Sequence, residues 1–91
     1  MQTYQYPIDP DWTTDEIIKV VSFLNVVEKA YESQISCQEF DQHYQAFKEV
    51  VDSIAGEKQI DRQFNEVSGY SIYQLVKKRR SLDQATVLKM N

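Results

Sequence analysis

The sequence predicts an all-α fold, a small compact bundle of four helices with an extended N-terminal arm. Glycine and proline contribute only two residues each to the 91-residue chain, whereas a sandwich or barrel of short strands needs many turn residues. Apolar residues make up 42% of the chain, and they recur at helical spacing. The same helix-start pattern occurs at three places. This length fits a single helical domain over residues 1–91.

Three of the predicted helices begin with a capping box and a hydrophobic staple. In a capping box, the side chain of a Ser or Thr accepts a hydrogen bond from the backbone N–H three residues later, and a Glu or Gln at that later position accepts one from the N–H of the Ser or Thr. In a hydrophobic staple, an apolar residue just before the cap packs against one in the first turn of the helix. The three boxes are Thr13 with Glu16, Ser36 with Glu39, and Ser71 with Gln74; their staples are Trp12 with Ile17, Ile35 with Phe40, and Tyr70 with Leu75. Helices are therefore expected to start directly after Thr13, Ser36 and Ser71.

The first helix is predicted over residues 14–32, and its apolar surface is unusually wide. One face carries Ile17, Val20, Val21, Leu24, Val27 and Tyr31, and Ile18, Phe23, Val26 and Ala30 widen it. Such a surface indicates either the central helix of the domain or a helix covered partly by a second subunit. We favour the central helix.

The other helices are predicted over residues 37–52, from Ser53 to about Ser68, and from Ser71 into a basic run at 77–80. Gly69 is well placed to end the third helix in the left-handed conformation. The residues expected to face inward are Phe40, Tyr44, Phe47 and Val51 on the second helix, Ile54, Ile60, Phe64 and Val67 on the third, and Ile72, Leu75 and Val76 on the fourth.

The two ends of the chain carry weaker signals. Pro7 and Pro10 bias the residues before them towards extended backbone, so residues 1–12 are expected to form an arm packed across the bundle. Apolar residues become sparse after Arg80. Residues 81–91 are therefore expected either to extend the fourth helix or to fray.

Composition points to a reducing, cytoplasmic protein. Cys37 is the single cysteine, so no internal disulfide and no Cys-x-x-Cys metal site can form. Residues 1–6 have no basic region and no apolar run, so no signal peptide is expected. No stretch approaches the roughly 18–20 apolar residues that a membrane span requires. We therefore expect no membrane partner.

No residue pattern predicts catalysis, a cofactor or a metal ion. His43, the only histidine, has Glu39 and Phe47 four residues away on either side, which is typical of a histidine at the edge of a core. Cys37 at a helix start could form a thiolate and act as a redox sensor, but the sequence favours a small structural residue. The acids Asp9, Asp11, Asp15 and Glu16 lack calcium-loop spacing, and acids are expected in a first helical turn.

The basic run Lys77, Lys78, Arg79 and Arg80 is the sharpest break in composition. Residues 1–76 carry 13 acids and 5 bases, a balance of -8, whereas residues 77–91 carry 5 bases and 1 acid, a balance of +4. This run could contact a nucleic-acid backbone or an acidic protein. The simpler interpretation is a solvated helix C-terminus, where the helix dipole favours cations. The acidic body argues against nucleic acid.

The tyrosines and Trp12 form a second set of candidate contact residues. The set comprises Tyr4, Tyr6, Trp12, Tyr31, Tyr44, Tyr70 and Tyr73. Aromatic rings bury large areas and also dominate binding interfaces. We assign Trp12 and Tyr31 to the core. Tyr4, Tyr6 and Tyr73 are candidates for a patch that faces a partner.

Several segments resemble the YktA-like family of small uncharacterised proteins from Bacillus-type, low-GC Gram-positive bacteria. They are Tyr4–Asp9, Trp12–Ile17, Val27–Glu32, Phe47–Val51, Ser68–Tyr73 and Val76–Lys77. The resemblance covers about residues 1–78 and leaves the tail beyond Arg80 outside the shared pattern. It implies an all-helical cytoplasmic domain, but no reaction, cofactor or site residue.

Three classes of function are therefore open. The leading hypothesis is a cytoplasmic protein-interaction or regulatory accessory module whose partner is another protein or, through spare apolar surface on the first helix, a second copy. The alternative is a nucleic-acid accessory protein that docks through residues 77–80. A small hydrolase or metal-binding protein comes third, because no catalytic constellation is visible.

Overall fold

The computed structural model describes residues 6–82 and 86–90, and its fold is mostly α-helical, as predicted. The radius of gyration is 12.5 Å. In chain order the elements are α1 (Thr14–Glu32), β1 (Ile35–Ser36), α2 (Cys37–Val50), α3 (Ile54–Ser68), α4 (Ile72–Arg80) and β2 (Val87–Leu88).

Each of the four helices begins at a Ser or Thr whose hydroxyl accepts a hydrogen bond from the backbone N–H three residues later. These N-caps are Thr13, Ser36, Ser53 and Ser71. The box at Thr13 is complete, because Glu16 also accepts a 2.8 Å hydrogen bond from the Thr13 N–H. For the other two predicted boxes, the structure shows the serine half of the pattern. Local side-chain chemistry thus sets where the helices start.

α2 ends at Val50, two residues earlier than predicted. Ser53 adopts extended backbone, with φ -116° and ψ 150°, because it serves as the N-cap of α3. The chain must therefore leave the helical conformation before Ser53. At the other end of α3, Gly69 has φ 81° and donates its N–H to Asn65, which confirms the predicted left-handed cap.

α1 is the central helix and packs against α2, α4 and β1. Six of its residues are buried: Val20, Phe23, Leu24, Val26, Val27 and Ala30. Phe23 contacts three aromatic rings of α2. Its ring centroid lies 4.6 Å from that of Phe47, 5.5 Å from that of Tyr44 and 5.7 Å from that of Phe40. The aromatic stripe of α2 therefore closes over one residue of α1.

The prediction of which α3 residues face inward is partly wrong. Ile60 and Phe64 are buried, but Ile54 is 72% exposed and Val67 is 40% exposed. Ile54 and Ile60 are six residues apart, which places them about 120° apart around a helix of 3.6 residues per turn. Ile54 therefore belongs to a different face of α3.

The described part of the N-terminal arm packs on the bundle, as expected. Pro7 is buried, and the ring centroid of Tyr6 lies 6.2 Å from that of Phe64. The Tyr6 hydroxyl lies 2.8 Å from Asn25 Oδ1 and 2.7 Å from Glu28 Oε1. Tyr6 is thus tied to both α1 and α3. Tyr4 lies outside the described residues.

The expectation that residues 81–91 extend α4 or fray is wrong for the part that the structure describes. β2 pairs antiparallel with β1, with Ile35 opposite Leu88. The N–H of Cys37 donates to Thr86 O at 3.1 Å, and the N–H of Met90 donates to Ala30 O at 3.0 Å. Leu88 is fully buried. A strand of two residues is too short to show a sequence periodicity, so it can be recognised only from its pairing with β1, which is distant in sequence.

We expect Phe23→Ala to lower the free energy of unfolding by about 3–5 kcal/mol, because it leaves a cavity where α1 meets α2. Urea denaturation followed by far-UV circular dichroism measures the change. Ile18→Ala is the matched control on the same helix, since Ile18 is 55% exposed and should cost less than about 1 kcal/mol. Equal losses in the two variants would contradict the central role of Phe23.

We expect Leu88→Ala to lower the free energy of unfolding by about 2–5 kcal/mol, because a buried leucine is lost. Val87→Ala changes the neighbouring side chain, which points to solvent, and should stay within about 1 kcal/mol. The same denaturation measurement compares them. A frayed C-terminal segment would instead make both substitutions silent.

Candidate partner-binding groove

A groove of about 420 Å³ runs between α3 and α4 and is closed at one side by α2. We call it the α3–α4 groove. Its lining mixes apolar, basic and acidic side chains: Tyr44, Lys48, Ile54, Glu57, Lys58, Asp61, Ile72, Tyr73, Val76, Lys77 and Arg80. The two helices that form it begin at the N-caps Ser53 and Ser71.

The lining comes from two stripes at helical spacing. On α3, Ile54, Lys58 and Asp61 lie at positions i, i+4 and i+7. On α4, Tyr73, Lys77 and Arg80 have the same spacing. Residues so spaced share one face of a helix. The groove is thus the space between two amphipathic faces that the core does not use.

The apolar side chains of the groove divide into a buried floor and two exposed edges. Ile72 and Val76 are buried and form the floor. Ile54 is 72% exposed and Tyr73 is 61% exposed, one on each helix. Exposed apolar side chains around a concave surface are typical of a binding site.

Glu57 holds α2 to α3 at the edge of the groove. Its Oε1 accepts a hydrogen bond from the Tyr44 hydroxyl at 2.8 Å, and its Oε2 lies 3.3 Å from Lys48 Nζ. The Lys48 ammonium also lies 5.7 Å from the centroid of the Tyr44 ring. Burial of the phenol and its hydrogen bond to Glu57 raise the pKa of Tyr44 to about 12, although Arg80 acts in the opposite direction.

Asp61 holds α3 to α4. Its carboxylate accepts hydrogen bonds from the backbone N–H of Ile72 at 2.7 Å and of Tyr73 at 3.3 Å. The first N–H groups of a helix lack partners within the helix and favour negative charge. Asp61 therefore supplements Ser71 as a cap of α4, and its charge is used inside the protein.

The basic cluster predicted at 77–80 is divided by the structure. Lys77 and Arg80 line the groove, whereas Lys78 is exposed outside it. The guanidinium of Arg79 lies with two nitrogens 2.9 and 2.7 Å from the carboxylate of Asp41 on α2, and a third contacts Leu82 O at 3.1 Å. Only 13% of the Arg79 side chain is exposed. Arg79 is thus a structural residue that joins α4 to α2.

The candidate contact tyrosines also lie in different parts of the fold. Tyr73 lies at the groove, whereas Tyr6 is half-buried and packs against α1 and α3 away from it. The groove also contains Ile54, Lys58 and Tyr44, which the sequence does not identify as site residues because its apolar pattern predicts Ile54 and Tyr44 in the core. The helical spacing of Ile54 with Lys58 was the available signal.

Three of the remaining chemical candidates, Cys37, Asp9 and Glu16, have structural partners. Cys37 is fully buried, and its Sγ lies 3.7 Å from the Thr86 hydroxyl, which favours a structural role because reactive thiols need access to solvent. Asp9 accepts a hydrogen bond from the Asp11 N–H, and Glu16 belongs to the capping box. His43 is half-buried on α2 outside the groove. Among the described residues, no group of three His, Cys, Asp or Glu is placed to hold a metal ion.

A second concavity of about 410 Å³ lies between the N-terminal arm and the start of α3. Pro7, Pro10 and Trp12 line it on the arm side, and Gln59 and Gln63 on the α3 side. Its lining includes no basic residue. It therefore lacks the positive charge that accompanies exposed apolar side chains at the α3–α4 groove. No helix in the described ranges has the length and apolar content needed to cross a membrane.

We expect the free energy of unfolding to fall as the pH rises from 10 towards 12. The pKa of Tyr44 is raised from 10.0 to about 12 in the folded protein, so folding favours the protonated phenol and this contribution is lost as the phenol ionises. The hydrogen bond from Tyr70 to Glu32 and burial raise the pKa of Tyr70 to about 12 as well. Tyr44→Phe should therefore make the decline shallower without abolishing it. Urea midpoints measured across this pH range test the effect, and an unchanged slope in Tyr44→Phe would contradict it.

Comparison with known proteins places the chain in a family. Residues 3–88 match the model of an uncharacterised protein family, UPF0223. That match includes Leu88 and thereby corrects the expectation that the tail beyond Arg80 lies outside the shared pattern. The family has no established enzymatic activity.

Three relatives illustrate the similarity. A UPF0223 protein of Streptococcus equi subsp. zooepidemicus is 51% identical over 81 residues, covering 89% of this chain and 88% of the relative. One from Streptococcus uberis is 49% identical with the same coverage. One from Oceanobacillus iheyensis is 46% identical over 85 residues, covering 93% of this chain and 97% of the relative. These sources fit the low-GC Gram-positive origin expected from the sequence, while the YktA-like name stays a prediction. The chain belongs to the uncharacterised protein family UPF0223.

Proposed function

We propose that the protein is a cytoplasmic protein-interaction module and that the α3–α4 groove is its binding surface. The observation that carries this proposal is the exposure of Ile54 and Tyr73 at the two edges of the groove. A few well-packed side chains near the centre of an interface, tyrosine among the commonest, supply most of its binding energy. A partner that covers both would remove them from water.

The cytoplasmic location rests on cysteine chemistry. Cys37 is a free, buried thiol in a chain with one cysteine. A small domain without disulfides is typical of a reducing compartment. The module would therefore act on cytoplasmic partners, as an accessory or regulatory protein.

The groove supports this function better than the apolar surface of α1 supports self-association. α1 buries six residues in the core, and Ile18 is its exposed large apolar residue. A single side chain offers little area for a stable dimer.

A nucleic-acid accessory role has weaker support. Of the four cations at 77–80, Arg79 is paired with Asp41, and Lys78 is exposed but does not line the groove that holds Lys77 and Arg80. Nucleic-acid affinity depends on many phosphate contacts along a continuous basic surface. The divided cluster does not offer such a surface.

Photo-crosslinking in living cells tests the proposed binding surface. A benzophenone amino acid replaces Tyr73, at the groove, in the full chain expressed in a low-GC Gram-positive host. We expect a discrete covalent adduct with another protein after irradiation, because the ring is more than half exposed at the groove edge.

The matched control places the same amino acid at Lys78, which is exposed on the same helix but outside the groove. This position should give no such adduct. The same adduct from both positions, or none from Tyr73, would overturn the proposal. Addition of Ile54→Ala to the Tyr73 variant should reduce the yield.

A further inference from the structure

The charged side chains of the α3–α4 groove are unbalanced towards positive charge. Four basic residues and two acidic residues line it. Both acids are engaged within the protein: Glu57 bonds Tyr44 and Lys48, and Asp61 caps the backbone of α4. Their negative charge is therefore already directed towards internal donors.

Among the residues that the structure describes, three of the four cations have no acidic partner. Lys58, Lys77 and Arg80 make no ion pair with residues 6–82 or 86–90. All three are exposed, in a chain whose net charge is -4. The groove is thus a basic site on an acidic protein, and its charge complements a negatively charged ligand.

The same cations stand beside exposed apolar side chains at helical spacing. Tyr73 lies one turn before Lys77 on α4, and Ile54 lies one turn before Lys58 on α3. A ligand that satisfies both features needs apolar groups for the groove and carboxylates for its rim. Amphipathic protein segments that dock in grooves present this combination.

We propose that the α3–α4 groove binds an acidic amphipathic segment of a partner protein. Apolar side chains of the segment contact Ile54 and Tyr73, and its Asp or Glu side chains meet Lys58, Lys77 and Arg80. This inference rests on the proposed function and specifies the chemistry of the partner.

Charge argues against the two competing occupants. A symmetric contact between two copies would bring each basic groove against the other, and like charges face each other across such an interface unfavourably. A nucleic acid would extend beyond the groove over a body that carries a balance of -8 in residues 1–76. A short acidic segment reaches the cations without either penalty.

Fluorescence polarisation with three synthetic peptide pools tests the inference on the full chain. The peptides are about four turns of helix long, ~15 residues, and carry a fluorescein label. The first pool has Leu or Phe at i and i+4 flanked by Asp and Glu. The second replaces the acids with Lys, and the third replaces the apolar residues with Ser. We expect binding of the first pool only, and weaker binding at higher salt.

Charge-reversal variants locate the binding. Lys77→Glu with Arg80→Glu should weaken binding of the first pool by roughly tenfold or more, because two attractive contacts become repulsive. Lys78→Glu is the matched control, since it makes the same kind of charge change on the same helix outside the groove. It should change the affinity less than about twofold, a residual long-range effect. Circular dichroism confirms that each variant is folded.

The outcomes separate this inference from the proposed function. Equal binding of the acidic and basic pools, or equal loss in Lys78→Glu, overturns the inference. So does groove-dependent binding of a labelled oligonucleotide, or a dimer in sedimentation that Lys77→Glu with Arg80→Glu dissociates. If Tyr73 crosslinks a protein but no acidic peptide binds, the inference fails and the proposed function stands. If Tyr73 also gives no adduct, both fail.

Discussion

The contact of Phe23 with the aromatic stripe of α2 is the interaction on which the rest of the structure depends. Its ring stacks on Phe47 at 4.6 Å and also contacts Tyr44. This packing fixes the rotation of α2 about its own axis. As a result, the Tyr44 hydroxyl points towards Glu57 on α3. The edge of the α3–α4 groove is therefore a consequence of how the core packs.

Two sets of polar contacts attach α4 and the C-terminal segment to the rest of the bundle. Arg79 joins α4 to α2 through Asp41 and also holds the carbonyl of Leu82, where the chain leaves α4. Beyond it, the N–H of Cys37 bonds Thr86, and Leu88 enters the core beside Ile35. One helix start thus serves as the docking point for a segment that is distant in sequence. Arg79 and Cys37, both candidates for functional chemistry, are used to build the fold.

The polar groups of the groove also have a structural origin. Asp61 and Glu57 each join two helices, which is why their charges are turned away from solvent. Each of the two helices buries one face in the core. The groove is lined by the faces that stay outside the core, which carry Asp61 on α3 and Tyr73 on α4. Positive charge remains on these faces because the acids that could balance it are already bonded. The exposed side chains of the candidate site are thus those that neither the core nor the helix caps use.

Local patterns in the sequence were sufficient for the helices. The hydroxyl caps at Thr13, Ser36 and Ser71 and the left-handed Gly69 were predictable because each depends on contacts within a few residues. For the site, Tyr73, Lys77 and Arg80 were identified as candidates from composition. Apolar character alone predicts Ile54 in the core, but its offset of about 120° from Ile60 around the helix places it on another face.

The sequence by itself determined the four helix starts, the central position of α1 and the concentration of basic residues after Val76, since these follow from local hydrogen bonding and from apolar periodicity. Only the tertiary structure decided which cation of the basic run is paired within the described residues, because the pairing of Arg79 with Asp41 joins residues 38 positions apart. It also decided that Leu88 is core, because a strand of two residues is defined by its partner β1 and not by its own pattern. Contacts between residues distant in sequence separate the side chains that hold this protein together from those that it presents to a partner.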